Sequence, residues 1–530
     1  MSLMRSTLIV AAASSVSRVL GFVRDVLLAS TLGAGPVADA FLAAFRVPNA
    51  VRRILSEGAL NAGFIPIYAR LRSERGSDAA GHFAGQAFSA TALALLAVTA
   101  VVELGAGLVV LLVAAGTAED PAVHELAAFL VRASFPFVAT ATLASLVSAL
   151  LNAEGRITVA SLAPVLVNLV VVATLVAPRL IPEISPERQA AAIAVATTVG
   201  GALHLACVVL AARRLGKFRF SAPRLSPELK RLFAAGVPAI AASGGAQLII
   251  LAGSQVASFV PSALSWVYYA ERLFQLPLGL VGAAVGIVLL PEVAARHATG
   301  DRSSVVDAQN RALEAGLLLA CPAAVALAML SRPMIAVLFE RGAFGPEDTT
   351  GTAAVLAGVA AGLPFAVVGK ILTQTFFGGH DVRTPLLAGV VGVVVALAAT
   401  ALLGQALGAL GIGLGIASGF AAQAASLVIA LRSMRLWSID RRLVARVAGS
   451  TAAATAMGLG LAGTGLMLDP ALSKSIETVR LLALCIGGFA LYALVAWTVG
   501  AIGRQDLGLF AKRPEAACLA GAWPRIRPRE

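Results

Sequence analysis

The stretch "TLIVAAASSVSRVLGFVRDVLLASTLG" (residues 7–33) has the length and composition of a membrane-spanning helix, yet Arg18, Arg24 and Asp25 lie inside it. About 20 mainly apolar residues cross the roughly 30 Å hydrocarbon core of a bilayer. A charge at the bilayer centre costs at least about 2.5–3.5 kcal/mol on insertion scales, so it should face protein or water rather than lipid. The segment therefore predicts a membrane helix with a charged face turned towards an internal cavity.

The whole chain has the composition of a membrane protein. Of its 530 residues, 58% are hydrophobic and only 13% are charged, whereas soluble domains are about a quarter charged. A soluble globular protein is therefore excluded. The sequence predicts an all-α polytopic membrane protein with about 14 transmembrane helices, at residues 7–33, 37–70, 83–116, 124–152, 157–178, 189–212, 230–260, 263–295, 309–331, 350–378, 384–407, 410–431, 443–468 and 478–502.

The net charge of +13 is explained by the side of the membrane on which the basic residues fall. Basic clusters at 70–75, 213–231, 296–302, 432–446 and in the C-terminal tail all lie on one side of the predicted topology. Since cytoplasmic loops carry an excess of Lys and Arg, both termini are expected in the cytoplasm. The excess is an orientation signal in a multi-pass membrane protein, and no nucleic-acid partner is expected.

An internal repeat suggests two lobes. The segments 64–96 and 289–319 share a proline near the end of a span, an arginine at the membrane exit and a short polar loop; 135–166 and 363–391 form a second pair at nearly the same offset. Duplicated halves in one orientation predict two six-helix lobes in a pseudo-twofold repeat around a central cationic cavity. The expected parts are lobes at 1–225 and 226–435, two additional transmembrane helices at 436–503 and a basic cytoplasmic tail at 504–530.

The charges within the spans do not balance. Structural ion pairs are a first hypothesis, joining Asp25 to Arg46, Asp39 to an arginine, Arg53 to Glu57 and Glu271 to Arg272, with Arg24 about 100° away from Asp25 on its helix. Cations remain in excess, however, which predicts an anionic ligand, and arginine presents a planar fork suited to phosphate oxygens. The cations in this count are Arg18, Arg24, Arg46, Arg52, Arg53, Arg272 and Lys370.

Motifs for other chemistries are missing from the sequence. It contains no H-E-x-x-H, P-loop or G-x-S-x-G pattern, and its four cysteines are scattered without a C-x-x-C pair. We therefore expect no enzyme activity, no catalytic residue, no cofactor and no metal site.

Four stretches resemble the MurJ/MviN lipid II flippase family of the multidrug/oligosaccharidyl-lipid/polysaccharide exporter superfamily: "SRVLGFVRD" (17–25), "DAFLAAFRVPNAVRRILSEGALNAGFIPIY" (39–68), "SWVYYAERL" (265–273) and "DVRTP" (381–385). The resemblance implies movement of lipid II, the undecaprenyl-pyrophosphate-linked peptidoglycan precursor, from the cytoplasmic to the periplasmic leaflet by alternating access. It implies lipid II, membrane lipids and the peptidoglycan synthesis machinery as partners, and a role in cell wall biogenesis.

The resemblance also implies a binding site. Its motif positions for the pyrophosphate and headgroup fall on Arg24, Asp25, Arg52 and Arg272, and further motif positions fall on Arg18, Asp39, Asn49, Arg53, Glu57 and Ser265. Spans 13 and 14 match helices that form a lipid-tail groove; the alternative is that they simply pack onto span 12. Sodium-coupled members carry carboxylates on spans 7 and 12, but 236–260 and 412–431 contain no acid here, which leaves the energy coupling open.

Three other functions stay possible on the residues alone. A flippase for another polyprenyl-pyrophosphate-linked glycan would need the same cationic cavity. A cation or drug antiporter on the same fold should instead have an acidic, aromatic-lined cavity. A membrane enzyme acting on polyprenyl phosphates should cluster acids or histidines at the membrane surface, and the sequence shows no such group.

Overall fold

The computed structural model describes residues 3–54, 60–177, 184–216, 218, 221–223, 226–298, 302–378, 381–465 and 474–503. Every regular element in this part of the chain is a helix. The first half consists of α1 (Leu3–Leu32), α2 (Pro36–Ile54), α3 (Leu60–Leu104), α4 (Ala106–Val113), a 3-10 turn (Ala115–Glu119), α5 (Pro121–Ser134), α6 (Pro136–Ala153), α7 (Ile157–Leu162), α8 (Val165–Val176) and α9 (Pro186–Arg214). The remainder consists of α10 (Pro227–Ala257), α11 (Ala263–Ala298), α12 (Arg302–Met329), α13 (Ser331–Phe339), α14 (Pro346–Ala360), α15 (Leu363–Gly378), α16 (Arg383–Leu407), α17 (Ala409–Ser433), α18 (Arg441–Gly465) and α19 (Lys474–Thr498).

The helical content confirms the predicted all-α membrane fold. Among the described residues, eight helices are long and apolar enough to cross a membrane, or nine if the bent pair α14 and α15 forms one span. Each of the fourteen predicted segments overlaps one to three consecutive helical elements, but the number fourteen stays a prediction. Strongly exposed leucines such as Leu104 and Leu112 are suited to contact with lipid.

The two lobes share one hydrophobic core at one end of the bundle. There, Leu28 and Phe41 from α1 and α2 join a continuous buried cluster with Tyr269 and Phe339 from the second half of the chain. We call this the closed end; it is marked by Gly33, where α1 turns into α2. Burial of apolar surface holds the lobes together here.

Away from the closed end, the first lobe has a core of its own. Phe64, Tyr68 and Phe83 pack there with residues from α6 and α9. Leu229 and Leu232 at the start of α10 belong to the same cluster, whereas the later part of α10 packs on α16 and α17. Helix α10 therefore bridges the two lobes.

The two additional helices attach to the second lobe through α12 and α13. Ala453, Met457 and Tyr492 form a small core with Leu330, and the Tyr492 hydroxyl donates to the carbonyl oxygen of Leu318 at 2.7 Å. The alternative to a groove, that this pair packs onto span 12, which is α17, is wrong, because α18 packs mainly on α12 and α19. Ion pairs between the two helices from Glu314 to Arg442 and Arg446 reinforce that contact.

The "DVRTP" motif is a helix cap. The Asp381 carboxylate accepts from the backbone N–H groups of Arg383 and Thr384, at 2.9 and 3.1 Å, and from the Thr384 hydroxyl at 2.6 Å. This arrangement satisfies donors that the first turn of α16 leaves unpaired. Burial opposes ionisation of Asp381, but these hydrogen bonds outweigh it and hold its pKa below the ordinary value.

Candidate functional site

The candidate site lies between the lobes, where Asp25 is held by two arginines. Arg24 Nε and Nη2 donate to Asp25 Oδ1 at 3.1 and 2.9 Å, and Arg272 Nε lies 3.4 Å from Asp25 Oδ2. Tyr268 joins the group, with its hydroxyl 3.3 Å from Asp25 Oδ1 and its ring 4.3 Å below the Arg272 guanidinium. The Asp25 triad (Arg24, Asp25, Arg272) therefore crosses from α1 to α11 with a net charge of +1.

Asn168 on α8 fixes the remaining side of Arg24. Its Oδ1 accepts from Arg24 Nη1 at 3.2 Å, and its Nδ2 donates to the Ser17 carbonyl oxygen at 3.3 Å. All the nitrogens of the Arg24 guanidinium are thereby oriented by protein groups. The sequence analysis missed this residue, although a single amide within the apolar run "LAPVLVNLVVVATL" (162–175) was a signal for it.

Arg46 on α2 and Glu271 on α11 are two further charged residues between the lobes. Both side chains are buried. Arg46 Nη1 donates to the Ser254 hydroxyl on α10, while its Nε and Nη2 have no hydrogen-bond partner among the described residues. Glu271 accepts from the side-chain amides of Gln247, at 3.4 Å, and Gln275. The two opposite charges attract each other without a direct hydrogen bond.

Asp39 on α2 caps a helix of the other lobe. Its Oδ1 accepts from the Ser265 backbone N–H at 2.9 Å and from the Ser265 hydroxyl at 2.5 Å, and its Oδ2 accepts from the Ser262 N–H at 2.9 Å. These donors lie at the start of α11, where backbone N–H groups have no partner inside the helix. Separation of the lobes at the closed end must break all three hydrogen bonds.

Glycines allow backbone contact between the lobes at the closed end. A Cβ at Gly342 would lie 2.1 Å from the Ser30 carbonyl oxygen, and one at Gly33 would lie 2.5 Å from the Ala343 carbonyl oxygen. Both glycines have positive φ, which a side chain would strain as well. The Ala343 N–H donates to the Ser30 carbonyl oxygen at 2.9 Å across this contact. The lobes are thus sealed by main-chain atoms.

The other predicted site residues lie farther from the closed end. At 1.5 Å per residue, Arg24, Arg46 and Arg272 are roughly 12–15 Å from the closed-end termini of their helices, and Arg18 and Arg52 are roughly 21–24 Å away. Arg18 is exposed, and Arg52 Nη2 lies 3.3 Å from Asn49 Oδ1. The structure thus links Arg24 to Arg272 through Asp25 and places Arg52 farther from the closed end than either of them. Glu57 and the side chain of Arg53 lie outside the described residues.

Three of the ion pairs expected from the sequence are wrong. Asp25 pairs with Arg24 and Arg272 rather than with Arg46. The Arg24 side chain is long enough to fold back onto its neighbour, despite the 100° between their positions on the helix. Asp39 binds serine and backbone donors of α11 instead of an arginine, and Glu271 receives glutamine amides instead of Arg272.

The described residues contain no group of three or more His, Cys, Asp or Glu side chains that could hold a metal ion. The charged groups that the described residues place at the lobe interface are arginines and single carboxylates, and they come from both lobes. Such contacts can break and re-form as two lobes move. Fold and interface together define a two-lobed α-helical membrane transporter.

Comparisons with known proteins identify the family. The family model for the lipid II flippase MurJ matches residues 28–470. The probable lipid II flippase MurJ of Rhizobium meliloti (strain 1021) is 34% identical over 528 residues, covering 98% of each chain, and that of Rhizobium tropici is 35% identical over 536 residues, covering 98% of this chain and 99% of the relative. The chain belongs to the lipid II flippase MurJ family, which is a family of transporters rather than a class of catalytic enzymes.

Solved structures agree on the fold. A lipid II flippase MurJ described as in an inward closed conformation matches with a TM-score of 0.74 and 20% identity, over 94% of this chain and 99% of the other. An inward-facing multidrug-resistance MATE transporter of the MOP superfamily matches with a TM-score of 0.65 and 17% identity, over 81% of this chain and 98% of the other. These two likenesses show that the chain shares its overall fold with both proteins.

Proposed function

We propose that the chain moves lipid II from the cytoplasmic to the periplasmic leaflet of the bacterial inner membrane by alternating access. The observation that carries the proposal is the Asp25 triad, which has a net positive charge and takes one arginine from each lobe. A ligand bound there contacts both lobes at once, as a carrier requires. Membership of the lipid II flippase MurJ family supports lipid II as that ligand.

The chemistry of the triad suits a diphosphate. Arginine forks make charge-assisted hydrogen bonds to phosphate oxygens, and these bonds replace the water that a diphosphate loses inside the membrane. Arg272 Nε is buried and has no well-directed acceptor in this state, so it still has a hydrogen bond to offer. Asp25 orients both arginines and lowers their affinity for the diphosphate. Without it, a site with two uncompensated cations would release the ligand slowly.

Arg18 and Arg52, which lie farther from the closed end than the Asp25 triad, belong to the path that we propose for the headgroup. Arg52 contributes a third cation to the diphosphate site, with Asn49 as its support. Arg18 and Arg53 line the opening through which the headgroup enters. Asp39 and Ser265 hold the closed end shut, and Glu57 belongs to the opposite end of the path.

The basic loops orient this state in the membrane. By the positive-inside rule both termini are cytoplasmic, so the closed end, where α1 turns into α2, faces the periplasm. The state described here is then inward-facing: the periplasmic ends of the lobes are joined, and the cavity is reached from the cytoplasm. Enzymes of peptidoglycan synthesis would supply the substrate on one side and consume it on the other.

The isoprenoid tail is proposed to stay in lipid along α18 and α19. Residues 449–463 present small exposed side chains, Thr451, Ala452 and Thr455, beside the strongly exposed Leu459. Exposed Val479 and the apolar side chains that follow it on α19 provide the other wall. Such a surface lets a long prenyl chain lie against the protein while the headgroup is in the cavity.

Photo-crosslinking tests the groove. With a benzophenone-bearing prenyl diphosphate analogue in membranes, we expect labelling of α18 and α19, and we expect Thr455→Trp to reduce it several-fold by filling the groove. Leu108→Trp, on the exposed surface of α4 in the first lobe, is the matched control and should leave labelling unchanged. Labelling that occurs elsewhere but never on these two helices would contradict the groove.

Depletion in the host tests the function itself. We expect loss of the protein to trap lipid II in the cytoplasmic leaflet, to stop peptidoglycan synthesis and to deform the cells. Accessibility of lipid II to an externally added lipid II-degrading enzyme measures this directly. Unchanged peptidoglycan synthesis accompanied by drug sensitivity would instead identify an exporter of drugs.

A further inference from the structure

The end of α10 is anchored to the first lobe. The Gln255 side chain accepts from the Ala115 N–H at 3.1 Å and donates to the Leu111 carbonyl oxygen at 2.9 Å, which satisfies a carbonyl group at the C-terminal end of α4. The Gly116 N–H donates to the Ser258 hydroxyl at 2.9 Å. A Cβ at Gly116 would lie 2.2 Å from the Ser258 carbonyl oxygen, so the two backbones are in contact. The last turn of α10 is therefore fixed against the first lobe.

The start of α11 is anchored to the first lobe as well. Asp39 accepts from the N–H groups of Ser262 and Ser265 and from the Ser265 hydroxyl. The Ser262 hydroxyl donates to the Ala34 carbonyl oxygen at 3.2 Å. The short connection at 258–262 is thus held from both of its ends by residues of the other lobe.

Ser262 has a backbone conformation that is unfavourable for serine. Its φ is 65°, and Arg435 is the one other described non-glycine residue with a positive φ. A hydrogen bond of 3.1 Å from the Ala263 N–H to the Val260 carbonyl oxygen closes a tight turn. Pro261 and Ser262 are the second and third residues of that turn. A positive φ at the third residue defines a type II turn, in which glycine is favoured there and a serine is strained.

The same turn has an unstrained alternative. Proline is also favoured at the second position of a type I turn, whose third residue has a φ of about −90° that suits serine. The two types differ by a flip of the peptide unit between the second and third residues, which reverses the direction of its N–H group. Here that N–H belongs to Ser262 and donates to Asp39 Oδ2 at 2.9 Å. In the type I form it would point away from Asp39.

We propose that the peptide unit between Pro261 and Ser262 is a conformational switch that flips when the closed end opens. While the lobes are joined, Asp39 and the Ala34 carbonyl oxygen hold Ser262, and the turn keeps its type II form. When the lobes part, both partners leave with the first lobe, and the turn relaxes to type I. The strain released on opening offsets part of the cost of breaking the hydrogen bonds between the lobes.

The flip also controls closing. In the type I form the Ser262 N–H does not face the first lobe, so the turn must flip back as Asp39 binds again. Closing therefore restores the strain together with the hydrogen bonds, and neither state is favoured overwhelmingly. This switch operates only if the lobes separate at this end, as the proposed function requires, but it does not depend on which ligand is carried.

Glycine and alanine at position 262 test the switch. Ser262→Gly and Ser262→Ala both remove the hydroxyl, but glycine adopts the type II form freely, whereas alanine is strained in it. If the turn flips on opening, the open-to-closed ratio of Ser262→Ala should exceed that of Ser262→Gly by about 5- to 30-fold. Equal ratios in the two variants would show that the turn has the same form in both states and would overturn the switch.

Spin labels measure the open-to-closed ratio of the full-length protein in lipid nanodiscs. Gly35 and Gly345 flank the closed end on opposite lobes and have open space for a side chain, so labelled cysteines there report the distance between the lobes. The native cysteines are first replaced in the parent and in every variant; they are Cys207, Cys321, Cys485 and Cys518.

Arg435 provides the matched control. Its φ is 53°, but its N–H donates within its own lobe, to the Arg432 carbonyl oxygen at 3.0 Å. Arg435→Gly and Arg435→Ala relieve and keep the same kind of strain without any contact between the lobes. Their open-to-closed ratios should therefore be equal.

An Asp39→Ala background tests what holds the turn. Without the carboxylate, the Ser262 N–H has lost its acceptor in the closed state, so the turn can flip there too. The difference between Ser262→Gly and Ser262→Ala should therefore become smaller in this background. A difference of unchanged size would contradict the control of the turn by Asp39.

Lipid II flipping by the parent is measured separately in proteoliposomes. A parent that flips lipid II, while Ser262→Gly and Ser262→Ala open to the same extent, refutes the switch alone. A parent that opens and closes, with the expected difference between the two variants, but does not flip lipid II refutes the proposed function alone.

Discussion

Alanine at Arg24, Arg52 or Arg272 is expected to abolish lipid II flipping while membrane insertion stays intact. Each change removes charge-assisted hydrogen bonds to the diphosphate, worth about 1.5–3 kcal/mol, or about a 10- to 100-fold loss of affinity. Insertion should survive because Asp25 keeps one of its two arginines when the other is removed. Growth of a strain with the variant as its sole flippase, together with lipid II binding to the purified protein, measures the effect.

Lysine and a distant arginine provide the controls. Lysine at the same three positions should restore function only in part, because it keeps the charge but loses the planar fork. Arg132→Ala changes an exposed arginine of α5 that donates to the Glu103 carbonyl oxygen, and it should support growth. If well-expressed alanine variants at all three positions still sustained growth, the three arginines would have a structural role only.

Asp39→Ala should open the closed end. The change leaves the Ser262 and Ser265 N–H groups and the Ser265 hydroxyl without their acceptor. Loss of these hydrogen bonds, which cap a helix and satisfy buried donors, costs about 1–3 kcal/mol in all. The equilibrium between closed and open states should therefore shift about 5- to 100-fold towards the open state. The measurement is the distance between spin-labelled cysteines at Gly35 and Gly345, which flank the closed end on opposite lobes and have open space for a side chain.

The control for Asp39→Ala is a helix cap that lies within one lobe. It distinguishes opening of the closed end from the loss of stability of a single helix. Asp120 accepts from the N–H groups of Ala122 and Val123 at the start of its own helix, α5. Asp120→Ala removes the same kind of interaction without any contact between the lobes, so the distance between the labels should stay as in the parent. Equal distances in the Asp39→Ala and Asp120→Ala proteins would show that Asp39 does not hold the lobes together.

Much of the fold and the type of ligand could be predicted without coordinates. Apolar length and the low charge content indicate membrane helices because the bilayer leaves few alternatives for a chain. The charged residues inside the first and second spans predicted an interior site, since lipid would not tolerate them. The resemblance in "SRVLGFVRD" and "SWVYYAERL" led to the family that the comparisons confirmed.

The pairing of the charges could not be predicted. Helical periodicity places Arg24 and Asp25 on different faces, but a long flexible side chain reaches its neighbour anyway. The sequence predicts an ion pair between Asp39 and an arginine, but three hydrogen-bond donors at the start of α11 bind its carboxylate instead. Asn168 comes from a segment far away in sequence, and its contact with Arg24 exists only because α8 packs on α1.

The amino-acid sequence alone determined the membrane environment, the helical class and the excess of intramembrane cations, and from that excess it predicted an anionic ligand. These properties follow from the hydrophobicity and charge of each segment. Both are local quantities, and they decide whether a segment is stable in a bilayer. Only the tertiary structure decided which end is closed, which arginines share Asp25, and that Asp39 caps a helix of the other lobe. Those pairings depend on how helices far apart in the chain pack together, and because each arginine can reach several carboxylates, the sequence does not choose among them.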